Sequence, residues 1–413
     1  MSGACGLSGA SETILCGPPG NSRLLSVTTS LLPGRETQLS QIAKPLADVF
    51  RRVAAAADAS GQLSGEGVRA LKASGYPGLT VPERLGGFGA SLYEFSLAQE
   101  ILGQADASLA LVAAMNAHLL GSVGEAGSWP TEIYGELARA SVGHGHLSNS
   151  LASEPELGSP SRGGLPATRA ERVPGGWRLT GLKTWSTGSR ALDFLVVTAA
   201  VDDREVRRFV IPAGSEGVEV RPTWQGSLGL RASGSDDVAF QEVFVPERYA
   251  LPVAAPLSSV QAASSSGWFW TAVAATYLGV GQAALDSLGA YAGDRVPTAL
   301  GEPIATLPKI QQAAGQMNLE LLAARTLLHD VTRQWATPVL RPGLLPKLAA
   351  AKLLCTNAAV SVSDLALRAA GGAALTTALP LERYFRDARA GLTHPPADEQ
   401  TLTLLGRRAL GLD

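Results

Sequence analysis

The chain has 413 residues, 46% of them hydrophobic, 17% charged and only 6% aromatic, which is length enough for two or three domains that each bury a core. A net charge of −2 offers no electrostatic case for nucleic acid or for an anionic membrane surface. No continuous apolar run reaches the ~18 residues of a membrane span, and the three cysteines Cys5, Cys16 and Cys355 form neither a disulfide framework nor a metal-ligand spacing, which points to a reducing cytoplasm.

Residues 1–37 are rich in Gly, Ser and Pro and lack the basic start and apolar centre of a secretory signal, so they read as a disordered extension. From Gln38, apolar residues recur at three- and four-residue steps (Leu39, Ile42, Leu46, Val49, Phe50, Val53) and predict a helix up to a break at Asp58 to Gly61, with Pro45 as a kink or a late start. A second helix is predicted over Gly65 to Ala73. The VPERLGGFGAS loop (Val81 to Ser91) leads into helices over Leu92 to Gln104 and Ser108 to Val123, the latter so uniformly small and apolar that it is expected to be buried. These make a helical domain over 38–144.

Over 145–251 the periodicity changes to short alternating or β-branched runs at Ala167 to Val173, Trp177 to Thr180, Phe194 to Val201, Arg208 to Ile211, Val218 to Arg221 and Val238 to Val245. Gly- and Asp-rich turns separate them, so an antiparallel barrel or sandwich is predicted. Strands and helices do not alternate, which argues against a dinucleotide-binding α/β fold. The GVGQAA run at Gly279 imitates the glycine fingerprint of such folds but lies inside a helical run, so its glycines read as helix-packing positions. From residue 252 the pattern is helical again: Ser258 to Ala292, Leu307 to Trp335, Pro346 to Ala370, Leu381 to Ala390 and Asp398 to Leu410, an antiparallel bundle. His144 and His146 form an H-x-H pair with no Cys, Asp or Glu cluster beside it, so no metal site is expected.

The β-rich region carries the chemistry. In the run from Gly181, GLKTWSTGSRALDFLVVTA, Trp185 stands two residues before Thr187. An indole can lie against an isoalloxazine ring and a nearby hydroxyl can hydrogen-bond an acceptor on its edge. Taken alone, Trp185 is more readily read as a half-buried strand aromatic. Upstream stands LASEPELGSP (Leu151 to Pro160), and downstream SLGLRASGSDDVAFQEVFVPE (Ser227 to Glu247). In this order and spacing the three runs resemble the acyl-CoA dehydrogenase superfamily, with its TEP and GS, its K-x-W-x-T and its G-x-R-x-S with F-x-x-V-x-VP; the VPERLGGFGAS loop extends the resemblance into the first domain.

The resemblance implies an α+β multidomain fold: an N-terminal α-helical domain, a middle antiparallel β-barrel domain and a C-terminal four-helix bundle over 252–413. It also implies FAD held between the middle and C-terminal domains, an acyl-CoA-like substrate, a homotetramer or dimer, and an electron-transfer flavoprotein as candidate partner. By resemblance Ser153 stands for the Thr of TEP, Ser159 for the Ser of GS, and Trp185 with Thr187 for the flavin-facing pair. Arg295, in AGDRVPTALGEPI, stands for an arginine that grips the FAD diphosphate of a neighbouring subunit, a task that suits the fixed donors of a guanidinium. Gly371 and Gly372 match a turn where backbone approaches the cofactor. Pro160 replaces an Asp of the family, Leu300 a Phe, and Pro308 and Arg368 replace Gln.

A dehydrogenase of this kind needs a base over the substrate to take the α-proton. The segment from Pro380 to Gly411 aligns with the family without a gap and puts Pro395 where the family's Glu belongs, and around Trp268 to Trp270, the other location of the base, there is no acid. Three readings follow. The chain is a dehydrogenase with a displaced acid, Glu399. Or it resembles the superfamily's flavin-dependent monooxygenases, with His394, eight residues after Arg386, as acid or base. Or it is a non-catalytic flavin- or acyl-CoA-binding module. For His394 a helix-end histidine bonded to local backbone is the plain structural alternative.

Overall fold

The structure, a computed structural model, describes residues 33–157, 164–203, 205–252 and 257–412. Ser159 and residues 1–32 of the predicted extension therefore lie outside the described residues.

The first domain contains α1 (Pro33–Ser60), α2 (Gly65–Ala73), α3 (Leu92–Ala105), α4 (Ala107–Ala126) and α5 (Thr131–His144). Helix α1 begins at Pro33, inside the stretch expected to be disordered, and runs through Pro45 without ending there. Capping fixes the next helices. The Ser91 hydroxyl accepts from the Glu94 N–H while the Glu94 carboxylate accepts from the Ser91 N–H, a reciprocal box that starts α3. The Asp106 carboxylate accepts from the N–H groups of Ser108 and Leu109 and starts α4. Sequence reading missed α5, whose buried stripe (Ile133, Tyr134, Leu137, Ala138) is short and set between Pro130 and a left-handed Gly145.

Helix α4 and the stretch Pro338–Leu375 are both long and apolar enough to cross a bilayer, contrary to the reading of the sequence, but 89% of the α4 window is buried inside the protein. Helix α4 is a core helix, apolar on every side because α3 and α6 cover it.

The middle domain is one sheet of seven strands: β1 (Ser148–Leu151), β2 (Arg169–Val173), β3 (Gly176–Ser186), β4 (Phe194–Ala200), β5 (Val206–Pro212), β6 (Val218–Arg221) and β7 (Asp236–Pro246). The strand order is β1-β4-β2-β3-β7-β6, with β5 paired to β4. Most pairs are antiparallel as expected, but β1 and β2 both meet β4 in parallel. Strand β1, a short polar SNSL, carried no alternation to betray it.

The C-terminal helices are α6 (Ser259–Asp294), α7 (Pro308–Gln334), α8 (Arg341–Ala370), α9 (Leu381–Ala390) and α10 (Asp398–Ala409), with α6, α7 and α8 packed on one another. The glycine run of α6 serves helix packing, as its position in a helix implied. A Cβ on Gly279 would lie 2.4 Å from the Glu100 carbonyl oxygen, and one on Gly103 would lie 2.2 Å from that of Thr276, so α3 and α6 touch backbone to backbone.

One joint ties the three parts together. Arg386 of α9 holds Asp58 of α1 (2.6 Å), Glu382 of its own helix (2.7 Å) and the Leu228 carbonyl of the sheet domain (3.2 Å). Its neighbour Asp387 accepts from the Leu230 N–H at 2.7 Å. That joint sets the sheet against the bundle and the first helix.

A candidate flavin site with a histidine–tyrosine pair

The register of β3 against β7 shifts between Lys183 and Ser186, and at this bulge Trp185 takes φ 54 and is 58% exposed. A bulky residue at positive φ costs about 1–3 kcal/mol, and such strain persists where the surroundings fix it and function uses it. The surroundings here are specific. The Thr184 N–H donates to the Ser153 carbonyl at 3.0 Å, the Thr187 N–H to the Trp185 carbonyl at 2.9 Å and the Gly188 N–H to the Ser233 carbonyl at 2.9 Å. The Thr187 hydroxyl is 3.0 Å from that of Ser235, which is 2.7 Å from that of Ser233. When Ser235 donates into Thr187, the Thr187 proton is left for an acceptor outside this chain of hydroxyls.

Beneath this platform lies a buried ion pair. The Lys183 ammonium donates to Glu154 at 2.6 Å, and both side chains are within 1% of full burial. Glu154 also accepts from the Thr168 hydroxyl (2.6 Å), the Thr168 N–H (3.1 Å) and the Ala167 N–H (2.6 Å). Burial pushes the Glu154 carboxyl up, but the bonds from Lys183 and Thr168 outweigh it and hold it below the usual carboxylate range. Burial lowers the Lys183 ammonium, against the pull of Glu154. Glu154 is the residue after Ser153 and Lys183 lies two before Trp185, so the pair fixes Ser153 relative to Trp185.

On the helical side, the His394 Nε2 lies 3.0 Å from the Tyr277 hydroxyl. The imidazole is thus turned toward α6. Its ring also meets Phe269 at 6.4 Å between centroids, and Phe269 meets His118 of α4 at 5.2 Å. Burial, with Lys352 adding to it, pushes His394 down to about 4, and burial alone does the same to His118. Burial raises Tyr277 well above its ordinary value. At neutral pH the pair is therefore a neutral imidazole and a neutral phenol. Lys352 of α8 is fully buried and donates to the Pro396 carbonyl at 3.1 Å. Glu399 is exposed in the first turn of α10 and is not brought into this group.

The remaining expected contacts lie elsewhere on the surface. Arg295 is the exposed C-cap of α6. Gly371 follows α8 at φ 68, and a Cβ on Gly371 or on Gly372 would meet no atom within 4 Å. Arg368 is engaged by Asp364 at 2.7 Å along α8, and Pro308 opens α7. Sequence reasoning assigned no role to Glu154, Lys183, Tyr277 or Lys352. The first two stand inside the quoted motifs, and Lys352 is a lone charge in the apolar run LAAAKLLC, a signal that went unused; Tyr277 carried none.

An exposed indole held at a strained bulge with a hydroxyl chain behind it, a histidine–tyrosine pair among the C-terminal helices, and the order helix, sheet, bundle fit a three-domain flavoprotein oxidoreductase. The chain belongs to the acyl-CoA dehydrogenase family: the family's N-terminal domain matches residues 36–128, its middle domain 150–243 and its C-terminal domain 271–399. It is 38% identical over 365 residues to a putative acyl-CoA dehydrogenase, YdbM, of Bacillus subtilis, covering 88% of this chain and 94% of the relative. Its fold is similar to that of butyryl-CoA dehydrogenase from Megasphaera elsdenii (TM-score 0.80, 22% identity, covering 93% of this chain and 100% of that one). It is likewise similar to glutaryl-CoA dehydrogenase from Mycobacterium smegmatis in complex with FADH2 (TM-score 0.80, 20% identity, 92% and 95% covered).

Proposed function

We propose that the protein is a FAD-dependent oxidoreductase of the acyl-CoA dehydrogenase type that oxidises the Cα–Cβ bond of an acyl-CoA-like thioester, with His394 as the proton acceptor. The observation that carries the cofactor reading is Trp185: a strained backbone presenting a large exposed indole at a bulge makes sense where a flat partner covers it. The residues present fit FAD. Trp185 would lie against the ring system, with Thr187 and Ser153 at its polar edge, and Ser159 is expected to join them. Arg295, Gly371 and Gly372 of a neighbouring copy would take the diphosphate and adenine end, which suits an arginine and glycines left open within one chain. The assembly is a homotetramer or a dimer, with electrons passing to an electron-transfer flavoprotein in the cytoplasm.

When bound, FAD supplies an acceptor for the hydride that leaves Cβ. The chain's own part is the α-proton. His394 is neutral at pH 7 and so has a lone pair to receive it. The low affinity for protons that burial imposes is relieved as the Cα–H bond breaks, because negative charge developing on the thioester beside the ring favours the imidazolium. Tyr277, held protonated by burial, fixes the ring's orientation through its hydroxyl.

Anaerobic mixing of the FAD-loaded protein with a panel of acyl-CoA thioesters tests this by flavin absorbance. Bleaching in the wild type and in Glu399→Gln, with at least a hundredfold slower bleaching in His394→Ala, is expected. Loss in Glu399→Gln alone would move the base to Glu399. Pro395 at the family's Glu position favours a second reading, a monooxygenase in which His394 serves as acid or base; oxygen consumption by the reduced protein, with no bleaching by any thioester, would support it.

A further inference from the structure

The least explained side chain near the site is Lys352. It stands in the middle of α8, fully buried, with Ala349, Ala351 and Cys355 buried beside it in the sequence. Taking an ammonium out of water is costly unless a counter-charge and a full set of acceptors compensate it. No ion pair among the described residues does so: its hydrogen bond goes to the Pro396 carbonyl, 3.1 Å away, and the nearby Asp398 carboxylate is held by the Asn357 amide at 2.9 Å. The Pro396 carbonyl belongs to the turn that carries His394.

We propose that Lys352 is a positioning residue for His394: its ammonium fastens the 394–396 turn through the Pro396 carbonyl and so holds the imidazole against the Tyr277 hydroxyl, while its positive charge adds to burial in disfavouring a second charge on the ring. This rests on the reading of His394 as the site's acid–base group. The other groups facing the ring do not supply the same charge. From α6 comes Tyr277, a neutral phenol, and α4 contributes His118, neutral and separated from it by Phe269. Asp398 of α10, of opposite sign, acts on Lys352, and Asp387 of α9 acts on Tyr277. Burial lowers Lys352 to about 8, so at pH 7 it is still charged while His394 is not. Above pH 8 the charge is lost and the turn keeps only a neutral amine as its donor.

The experiment follows the imidazole resonances of the ring-labelled, FAD-loaded protein from pH 4 to 9.5, with His394→Asn assigning the signal among the five histidines. In the wild type, His394 is expected to show no inflexion near 6.5 and a second-site inflexion near pH 8, where Lys352 titrates. In Lys352→Met its titration should move up by about one unit or more, and Lys352→Arg, which keeps the charge, should restore the wild-type profile. An unchanged His394 titration in folded Lys352→Met overturns the proposal. Should that variant not fold, the wild-type curve decides: an ordinary titration near 6.5 with nothing near 8 overturns it equally. Full turnover in His394→Ala would sink the catalytic reading while leaving the link between Lys352 and His394 measurable, so the two failures are distinct.

Discussion

Replacing Lys183 by Met removes one charge from the buried pair beneath Trp185 and leaves the other. Glu154 would keep the Thr168 hydroxyl and two backbone N–H groups as donors but lose the ammonium 2.6 Å away. Breaking a buried ion pair from one side costs about 3–5 kcal/mol; three surviving donors argue for the lower end, about 3 kcal/mol. The carboxyl, now held low chiefly by Lys183 against burial, should rise above its ordinary value, so the penalty shrinks as pH falls from 7 toward 5 and the group takes a proton. Hydrogen exchange is the assay that reads this locally: protection of the β3 amides should fall by roughly a hundredfold at pH 7 and less at pH 5. Pairing the change with Glu154→Gln, which leaves no charge behind, should recover part of the loss. Because Thr184 hangs on the Ser153 carbonyl, flavin retention should weaken in parallel. Unaltered β3 protection in Lys183→Met, or a double variant no better than the single one, would refute the reasoning.

Trp185→Ala and Thr187→Ala should each leave the protein folded, the first lowering flavin content and the second shifting the flavin potential; unchanged content, spectrum and potential in both would sink the placement. Asp387 is raised by burial to about 7, so the folded state holds its proton between the unfolded carboxyl value and that pH, and its contribution to stability is lost as pH rises through 7. Asp387→Asn should therefore gain on the wild type between pH 5 and pH 8.5 by on the order of 3 kcal/mol, and parallel melting curves across that range would count against it. Gly279→Ala should destabilise the α3–α6 contact by about 1–3 kcal/mol, visible as a lowered melting temperature; an unshifted one would mean that the helices part easily.

Three linked motifs, each ambiguous alone, were legible together as a resemblance to the acyl-CoA dehydrogenase family because their order and spacing match over the whole middle segment. Helices α3 and α4 and the bundle were legible because their apolar stripes are long. Short elements were not: α5 offers one stripe of four residues and β1 no alternation, so local pattern could not separate either from a loop. The family's usual base was legible as missing, with Pro395 in place of an acid, and local pattern left His394 and Glu399 as competing candidates.

The sequence by itself determined the order of helix, sheet and bundle, and the presence of a Trp with neighbouring hydroxyls, because hydrophobic periodicity and turn chemistry act between residues close along the chain. Tertiary structure alone decided that Trp185 sits strained at a bulge, that Lys183 meets Glu154 and that Tyr277 meets His394 across 117 residues. It also decided that His394 is half-buried against Tyr277 while Glu399 faces solvent, although only five positions separate them. Charge state and reach depend on burial and on partners from distant segments, and neither is written in the spacing of one stretch of chain.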